Sequence, residues 1–448
     1  MASPSVQDGI DKAGSAVGLL WKPNAEPWYP EVIDPEYAGW KVEQHAWHDS
    51  VTIADLSQHM SDTFVEGPDA TRLLSEVSAN NYASFAVDQA KQFVPVAEDG
   101  NIITDGILLR TGEHSYVLSG VPAAQNWVVY HAEKGGYDVS VSTNRETSAR
   151  FDGSPPALFR YQVQGPLALE VVNRVFGGPL PATKFFHSTR VSLGDRHFRA
   201  LRHGMSGQPG YEFIGEWKDG PAVKEALMAA GEPFGMVHQG AMSYPTASMD
   251  SGWIPSPTPA IYTAPELADY RSWVSLYSYE GMKPLQGSFF SRDIEDYYTS
   301  PYELGYGRSI SFDHDFVGRD ALQKARHDHR RTKVTLVLDR EDVRRELGER
   351  GPDHGYVHHY WRNRVEVGGA LVGATFQTDY LDPVGAVMAL TLVDKEFATP
   401  GTEVEVVWGQ HPGGDTDPDA DLGFPRLRAT VHPAPYDRTA RTTYRDKA

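Results

Sequence analysis

An α+β fold with a small β-barrel in its C-terminal part is predicted by three features of the sequence. Segments with the period of amphipathic helices are interspersed with segments that alternate in polarity as strands do. The C-terminal part contains short strand-like segments separated by glycines, which is typical of a small barrel. A chain of 448 residues is also long enough for two or three domains with their own cores.

The N-terminal part predicts an irregular arm, a helix and a run of hairpins. Residues 1–40 are rich in proline, tryptophan and tyrosine, so we expect an arm without regular structure that packs on the body. Residues 67–79 predict a helix, because Pro68 suits a first turn and the apolar residues share one face. Residues 92–118 alternate in polarity and contain turn glycines, so we expect consecutive hairpins.

The middle of the chain predicts two helices and an extended segment. Residues 219–231 and 318–326 have helical start and stop signals. The proline-rich residues 253–262 cannot form a helix, and we expect them to line a site in extended form. Because TKVTLVLD then begins a strand, we predict a core region of residues 1–328 and a C-terminal barrel domain of residues 329–448.

The predicted barrel includes the segments GGALVGAT, GAVMALTLV and GTEVEVVWG. Residues 340–365 are highly charged and contain several histidines, so we expect them to form a surface insertion. The barrel strands and this insertion therefore account for most of the C-terminal region.

The composition excludes several classes of function. The formal net charge is −19, so the protein would repel phosphates and no nucleic-acid partner is expected. No apolar run approaches the roughly 18 residues of a membrane span, and the N-terminus lacks a signal-peptide pattern. We therefore expect a cytoplasmic protein with no membrane partner. The absence of cysteine excludes disulfides, thiolate nucleophiles and cysteine metal sites.

Three polar residues are candidates for chemistry, each with a structural alternative. Asp105 interrupts an apolar strand-like segment. It is either a turn aspartate that hydrogen-bonds its own backbone, or a general base or a carboxylate that stabilises a developing cation. Tyr244 precedes Pro245, which favours an extended backbone. It is either a tyrosine at a core edge or a proton donor whose ordinary pKa, about 10, is close to that of a phenol leaving group. His59 is a single histidine, which is more often structural than catalytic.

A carboxylate also occurs where an apolar strand begins. Glu212 lies between Tyr211 and Phe213, directly after the glycine-rich turn RHGMSGQPG. Burial of a carboxylate is costly unless something hydrogen-bonds it. Glu212 therefore either points outward through strand alternation or is directed at a ligand.

A metal site is a weaker alternative. His45 and His48 are spaced to share a helix face, and HGYVHHY at 354–360 is rich in histidine. An HExxH pattern and an obvious carboxylate partner are absent. We favour solvated loop and edge histidines and expect no metal.

Six blocks of the chain resemble the folate-dependent aminomethyltransferase (glycine-cleavage T-protein) superfamily. In order they are VEGPDATRLL, GNIITDG, YQVQGPLALEVV, SGQPGYEFIGEW, SPYELGYGRSISFDHDFVGRDAL and PGTEVEVVWG. From about Trp40 onward the chain is more narrowly similar to tetrahydrofolate-dependent aryl O-demethylases of the vanillate/3-O-methylgallate type and to the sesamin-type methylenetransferases grouped with them. The segments KQFVPVAEDGNIITDGI, RHGMSGQPG, SGWIPSPTPAIYT and FDHDFVGRDAL carry that similarity.

This resemblance implies a T-protein-like fold with three subdomains in a cloverleaf around a central folate channel. It implies an enzyme that transfers a one-carbon unit, with tetrahydrofolate as co-substrate and a small aromatic ether as substrate. Glu212 matches the glutamate that binds the pterin, and we place Gln164 and Tyr211 beside it as cofactor-binding residues. Asp105 matches the acid near the folate nitrogens, so it is both a catalytic and a cofactor-binding candidate.

The resemblance also implies a substrate site. Tyr244 matches the tyrosine assigned to the substrate oxygen, and His59 matches a histidine on the substrate side, which makes both catalytic candidates. We add Trp253 as a substrate-binding residue. Val121, in the block GVPAAQNW, stands where carboxylate-using demethylases carry an arginine, and Leu56 replaces their glutamine.

These two replacements change the expected substrate, because a desolvated aryl carboxylate needs a paired cation. We favour a neutral methylenedioxyphenyl lignan such as sesamin, which would yield a catechol and 5,10-methylenetetrahydrofolate. An O-demethylase of vanillate or guaiacyl type, yielding 5-methyltetrahydrofolate, remains an alternative if Arg160 or Arg292 supplies the cation. A non-catalytic folate-binding scaffold and a histidine-metal hydrolase are alternatives of other classes. The sequence does not indicate the oligomeric state.

Overall fold

A computed structural model describes residues 3–26, 33–59, 61–144, 155–255 and 257–446. Its helices are α1 (Val6–Ala13), α2 (Ala16–Leu20), α3 (Trp40–Asp49), α4 (Ala70–Glu76), α5 (Pro122–Lys134), α6 (Ala168–Phe176), α7 (Gly220–Gly231), α8 (Ser248–Ser251), α9 (Ala268–Trp273), α10 (Tyr279–Met282), α11 (Arg319–Ala325), α12 (Arg340–Leu347) and α13 (Arg438–Thr442). Its strands are β1 (Thr52–Asp55), β2 (Ser61–Glu66), β3 (Ala90–Phe93), β4 (Gly106–Gly112), β5 (Ser115–Gly120), β6 (Ser140–Asn144), β7 (Leu158–Gln164), β8 (Ser188–Leu193), β9 (Arg196–Leu201), β10 (Gly210–Glu216), β11 (Val237–Gln239), β12 (Arg331–Leu338), β13 (His358–His359), β14 (Arg364–Val367), β15 (Ala370–Leu381), β16 (Ala386–Asp394), β17 (Glu403–Val407) and β18 (Arg426–Pro433).

The strands form three sheets. The first has the order β11-β1-β7-β10-β9-β8, and the second has the order β3-β4-β5-β2-β6. The third has the order β13-β15-β14-β17-β18-β12-β16, and β15 also pairs with β16. Six strands of the third sheet therefore close into a barrel, which removes their free edges. The predicted C-terminal barrel is confirmed.

Alternation along β7 and β10 gives the first sheet one apolar face and one polar face. The apolar face packs on α6 and α7 in a core that includes Phe159, Tyr161, Val163 and Phe213. On β10, Glu212 lies opposite Gln162 of β7 and belongs to the other face. That face contacts the second sheet through an apolar cluster formed by Leu109, Leu201 and Ile214, among others. Polar residues on this face are therefore buried between two sheets.

Most predicted elements are present with shifted ends. Helices α4, α7 and α11 and strand β12 lie where the sequence predicts them. Pro68, however, precedes α4 rather than occupying its first turn, because Asp69 is the N-cap. Residues 92–118 contain one hairpin, β4–β5, which β3 extends through pairing with β4. The described part of 253–262 contains no helix, as predicted.

The predictions for the arm and for the insertion were wrong in part. The described part of residues 1–40 contains α1 and α2, because Ser5 and Ser15 accept hydrogen bonds as their N-caps. Residues 27–32 of that arm lie outside the described ranges. The predicted surface insertion, residues 340–365, contains regular elements, namely helix α12 and strand β13, which pairs with β15 outside the closed ring of six strands.

The third sheet extends from β12 to β18, whereas the division into residues 1–328 and 329–448 stays a prediction. None of the helices within the described ranges has both the length and the apolar character that crossing a membrane requires.

Candidate active site

Tyr244 and His59 face each other on the wall of a small cavity. Their ring centroids are 5.2 Å apart and the rings meet edge to face. Leu56 and Ala54 line the same cavity. Tyr244 begins a 3-10 turn, Tyr244–Ala247, and not the extended segment expected before Pro245, because proline is tolerated in a first helical turn. The cavity volume is about 10 Å³, which is room for about one water molecule.

Burial fixes the protonation states of these two side chains. It raises the pKa of Tyr244 well above its ordinary value, and the charge of Glu212 adds to the effect, while Arg160 and Gln162 oppose it. Tyr244 is therefore a protonated hydrogen-bond donor at neutral pH and a weaker acid than its ordinary pKa suggests. Burial lowers the pKa of His59 to about 4, so its imidazole is neutral.

Glu212 is buried because a network of charged and polar side chains surrounds it. Arg160 Nη1 donates to Glu212 Oε1 in a short contact. Arg160 Nη2 donates to Asp62 Oδ1 at 3.1 Å and to Ser119 Oγ at 2.6 Å. Burial works against ionisation of Glu212, but Arg160 and His203 together outweigh it and lower the pKa of the carboxyl to about 2. The second oxygen of Glu212 lies 3.5 Å from His203 Nδ1.

This network shows how a carboxylate can stand at the start of an apolar strand. Glu212 faces the second sheet, whereas its neighbours Tyr211 and Phe213 face the helices. A carboxylate has about four acceptor positions. The Arg160 contact uses one of them, so Glu212 retains capacity to accept hydrogen bonds from a ligand.

Asp105 lies just before β4, at a convergence of side chains from three other segments. Its Oδ2 accepts hydrogen bonds from Trp253 Nε1 at 2.7 Å and from Tyr306 Oη at 2.6 Å, and also from Gln92 Nε2. Burial raises the pKa of Asp105, although these three donors oppose the shift. Asp105 is therefore not a turn aspartate bonded to its own backbone. Trp253 contacts Asp105 and does not line the cavity beside Tyr244.

Several buried polar atoms near these clusters have no hydrogen-bond partner within the described residues. Among them are Asp105 Oδ1 and Gln162 Nε2. A buried donor or acceptor without a partner costs free energy, and a bound polar ligand removes that cost. A reduced pterin offers N–H donors for carboxylates and acceptor atoms for an amide. The hydrogen-bonding groups of the site are therefore of the types that tetrahydrofolate needs.

Three other predicted site residues have different surroundings. Gln164 Nε2 donates to Gln208 O at 2.9 Å, and its Oε1 accepts from the backbone N–H and the hydroxyl of Ser206. Its amide therefore holds the glycine-rich turn before β10. The Tyr211 side chain packs in the core behind the sheet. Val121 is the partly exposed N-cap of α5 and does not line the cavity beside Tyr244.

Neither candidate cation from the sequence lines the cavity beside Tyr244. Arg160 is already shared by Asp62 and Glu212, and Arg292 is exposed and donates to Thr416 O at 3.1 Å. No lysine or arginine is present among the described residues that line the cavity beside Tyr244.

Three of the five histidines that suggested a metal, His45, His48 and His358, are paired with carboxylates. His45 contacts Asp49 and Asp382, and His48 Nε2 lies 3.0 Å from Asp250. His358 and His359 are buried in the barrel, so the expectation of solvated histidines was wrong for both. Across the described ranges, no three histidine or acidic side chains are grouped as metal ligands.

Sequence reasoning missed several residues of these clusters, namely Asp62, Gln92, Ser119, Gln162, His203 and Tyr306. One sequence pattern could have identified some of these residues. Arg160, Gln162 and Gln164 alternate with apolar residues along β7, which places three polar side chains on one face of a central strand.

Comparisons with known proteins identify the family and the fold of the chain. The model of the GCVT N-terminal domain matches residues 15–256. The chain is 36% identical over 454 aligned residues to syringate O-demethylase of Sphingobium sp., covering 99% of this chain and 98% of that protein. It is 27% identical to sesamin methylene transferase of Sinomonas sp., covering 84% and 86%. The solved structure of aminomethyltransferase T from Bartonella henselae superposes with a TM-score of 0.61 at 16% identity, covering 90% of this chain and 91% of that chain. The T-protein-like fold is confirmed.

Proposed function

Since the chain belongs to the GCVT N-terminal domain family, we propose that this enzyme transfers a one-carbon unit from an aromatic ether to tetrahydrofolate. The observation that carries the proposal is the buried, protonated phenol of Tyr244 beside the neutral imidazole of His59. A donor in that position can hydrogen-bond the ether oxygen while its bond to carbon breaks. When bound, tetrahydrofolate supplies the nitrogen nucleophile that accepts the carbon.

Tyr244 assists the departure of the phenol oxygen. A phenolate is a poor leaving group, and a positioned acid accelerates such a step by about 10²–10⁴-fold. The raised pKa of Tyr244 alone would make it a weak donor. The same cavity, however, also desolvates the departing oxygen and raises the pKa of the phenol that forms. Proton sharing between the two oxygens therefore stays near balance.

Asp105 and Glu212 serve the cofactor side of the site. The Asp105 Oδ1 atom, which has no partner in the described chain, would accept a hydrogen bond or a proton from a folate N–H. Its raised pKa makes it a better base than an ordinary carboxylate. Glu212 remains ionised and would accept N–H bonds from the pterin edge, as a carboxylate accepts them from a guanidinium.

Of the two possible ether classes, we propose an aryl methyl ether as the main substrate. The relative that is 36% identical over nearly the whole chain is named a syringate O-demethylase, which supports methyl transfer. A methylenedioxy ring is the second candidate, because the described cavity lining contains no cation and Val121 supplies none. The cation-free lining of the described cavity and the apolar Val121 favour a neutral aromatic ring in either class, whereas the syringate in that relative's name is an aromatic carboxylate.

Parallel reactions with three ethers test this function. The enzyme would be incubated with tetrahydrofolate and either syringate, a neutral guaiacyl ether or sesamin, and the ring products would be quantified by chromatography. We expect a phenol from the neutral methyl ether, and a much lower kcat with Tyr244→Phe at unchanged folate affinity. A catechol from sesamin alone would favour the second candidate. Folate binding without any ring product would support the non-catalytic scaffold instead.

A further inference from the structure

The segment that carries Tyr244 is held by a buried side chain of the C-terminal barrel. Gln377 lies on β15 and its side chain has no solvent exposure. Its Nε2 donates to Pro245 O at 3.0 Å, and its Oε1 accepts from Ser248 Oγ at 3.0 Å. These two contacts lie one and four residues beyond Tyr244. Gln377 therefore spans the turn that begins at Tyr244.

A second pair of buried residues fixes the orientation of the Gln377 amide. Gln377 Nε2 also donates to Asp379 Oδ2 at 2.6 Å. The other carboxylate oxygen, Asp379 Oδ1, lies 2.5 Å from His358 Nδ1, and both side chains are fully buried. Both amide hydrogens and the amide oxygen of Gln377 are thus engaged, and a flipped amide would place its oxygen against the Asp379 carboxylate.

Helix α3 contacts the same turn from another side. Gln44 Nε2 donates to Thr246 Oγ1 at 3.0 Å and to Tyr380 O at 3.0 Å, which ties the turn to β15 a second time. Most other contacts of the turn are local, such as the bond from Thr246 Oγ1 to Ser243 O at 2.7 Å. The barrel and α3 therefore supply the long-range contacts that locate the turn.

We propose that Gln377 is a positioning residue for Tyr244, with Asp379 and His358 holding its amide in the required orientation. This inference rests on the proposed function. Gln377 does not touch the reacting atoms, because its contacts are to Pro245 and Ser248. It keeps the backbone turn in place, so that the Tyr244 hydroxyl stays within hydrogen-bond distance of the ether oxygen. The C-terminal barrel thereby takes part in the chemistry of the N-terminal region.

This role predicts a specific kinetic pattern. Displacement of a catalytic group by about 1 Å can lower a rate on the order of a hundredfold. Gln377→Met keeps the side-chain length but removes the amide, so we expect kcat to fall by about tenfold to a hundredfold with KM little changed. Gln377 acts through the Tyr244 hydroxyl, so in a Tyr244→Phe background the same change should alter kcat by less than about twofold.

The test is this double-mutant cycle, measured with a neutral aryl methyl ether and tetrahydrofolate. Ser248→Ala, which removes only one partner of Gln377, gives a milder variant with the same expected pattern if Gln377→Met folds poorly. Arg428→Gln is the matched control, because Arg428 belongs to the barrel but bonds Asp339 and Asp342. It should weaken the barrel without changing kcat. An equal loss from Gln377→Met in both backgrounds would overturn the proposal.

Hydrogen–deuterium exchange provides a readout that does not depend on substrate. Gln377→Met should accelerate amide exchange in the peptide that covers residues 242–250, whereas Arg428→Gln should not. Unchanged exchange in that peptide would overturn the proposal even if kcat falls. If the unmodified enzyme converts no aryl ether, the proposed function fails, and exchange alone still decides whether Gln377 holds the turn.

Discussion

Arg160 shares one guanidinium between two buried carboxylates that come from different sheets. Asp62 belongs to the second sheet and Glu212 to the first. An ion pair of this kind adds little net stability compared with an apolar replacement of the whole cluster. Removal of one partner, in contrast, leaves uncompensated charge in a dry environment. The network therefore fixes the orientation of Glu212 at a site where a free carboxylate would be costly.

Arg160→Met tests that statement. It should lower the free energy of unfolding by about 3–5 kcal/mol, because Asp62 and Glu212 lose their common cation. Arg190→Met is the matched control on the same sheet, since Arg190 is exposed and pairs with Asp88 at 3.1 Å. The control should cost at most about 1 kcal/mol. Chemical denaturation measures both, and equal losses in the two variants would contradict the structural account of Glu212.

The neutral imidazole of His59 predicts a pH dependence of stability. Its pKa is about 4 in the folded protein and about 6.5 in the unfolded chain. Between pH 4 and pH 6.5, His59 is protonated in the unfolded chain but neutral in the folded protein. The stabilisation that comes from its lowered pKa is therefore complete above pH 6.5 and is lost as the pH falls towards 4. His59→Gln removes the titration. The stability of the unmodified protein relative to this variant should therefore fall by at most about 3 kcal/mol between pH 7 and pH 4.

Urea denaturation of both proteins across that pH range is the measurement. Other buried histidines titrate equally in the two proteins, so their contributions cancel in the difference. A difference that stays constant with pH would mean that His59 is not held neutral.

At the scale of elements, α3 supports the loop that leads to Tyr244. Glu43 of α3 has no solvent exposure. Its Oε1 accepts from the backbone N–H groups of Tyr37 and Ala38, at 2.6 and 3.1 Å. Its Oε2 accepts from the Gly240 N–H at 2.9 Å and from Ser243 Oγ at 2.5 Å. One carboxylate thus joins the arm, the helix and the loop.

Glu43→Gln keeps the shape of that side chain but turns one acceptor into a donor. The new amide would face an N–H or hydroxyl donor, so we expect a loss of about 2 kcal/mol in the free energy of unfolding. Amide exchange at residues 240–243 should also become faster. Glu36→Gln is the control, because Glu36 is exposed and accepts one bond from the Trp40 N–H. Similar effects from both changes would argue against Glu43 as the organising contact.

The elements that sequence reasoning predicted well are those whose signals are local. The helix at α7 has a proline in its first turn, and the barrel strands alternate and are bounded by glycines. The arm and residues 340–365 were mispredicted in part, because a high content of proline or of charge hides short capped helices and the short strand β13. For Glu212, the sequence left two possibilities, a side chain that points outward or one that is directed at a ligand. The partner Arg160 lies 52 positions earlier in the chain, and no local pattern reveals such a pairing.

At the scale of the whole molecule, all three sheets contribute to the candidate site. The first sheet supplies Arg160 and Glu212, the second supplies Asp62 and Ser119, and the barrel supplies Gln377. The resemblance to folate-dependent transferases predicted the fold, which is confirmed, and it assigned roles to Asp105, Tyr244 and His59, which stay predictions. It did not predict the side chains that surround them, because those contacts depend on how the sheets pack together.

In the proposed reaction, the carbon of an aromatic ether passes directly to tetrahydrofolate. The most direct measurement uses a neutral aryl methyl ether with ¹³C in its methoxy group, followed by mass spectrometry of the folate. We predict one labelled 5-methyltetrahydrofolate for each phenol formed, and almost no label with Tyr244→Phe. Formation of the phenol with the label in formaldehyde or methanol, and none in the folate, would contradict the account.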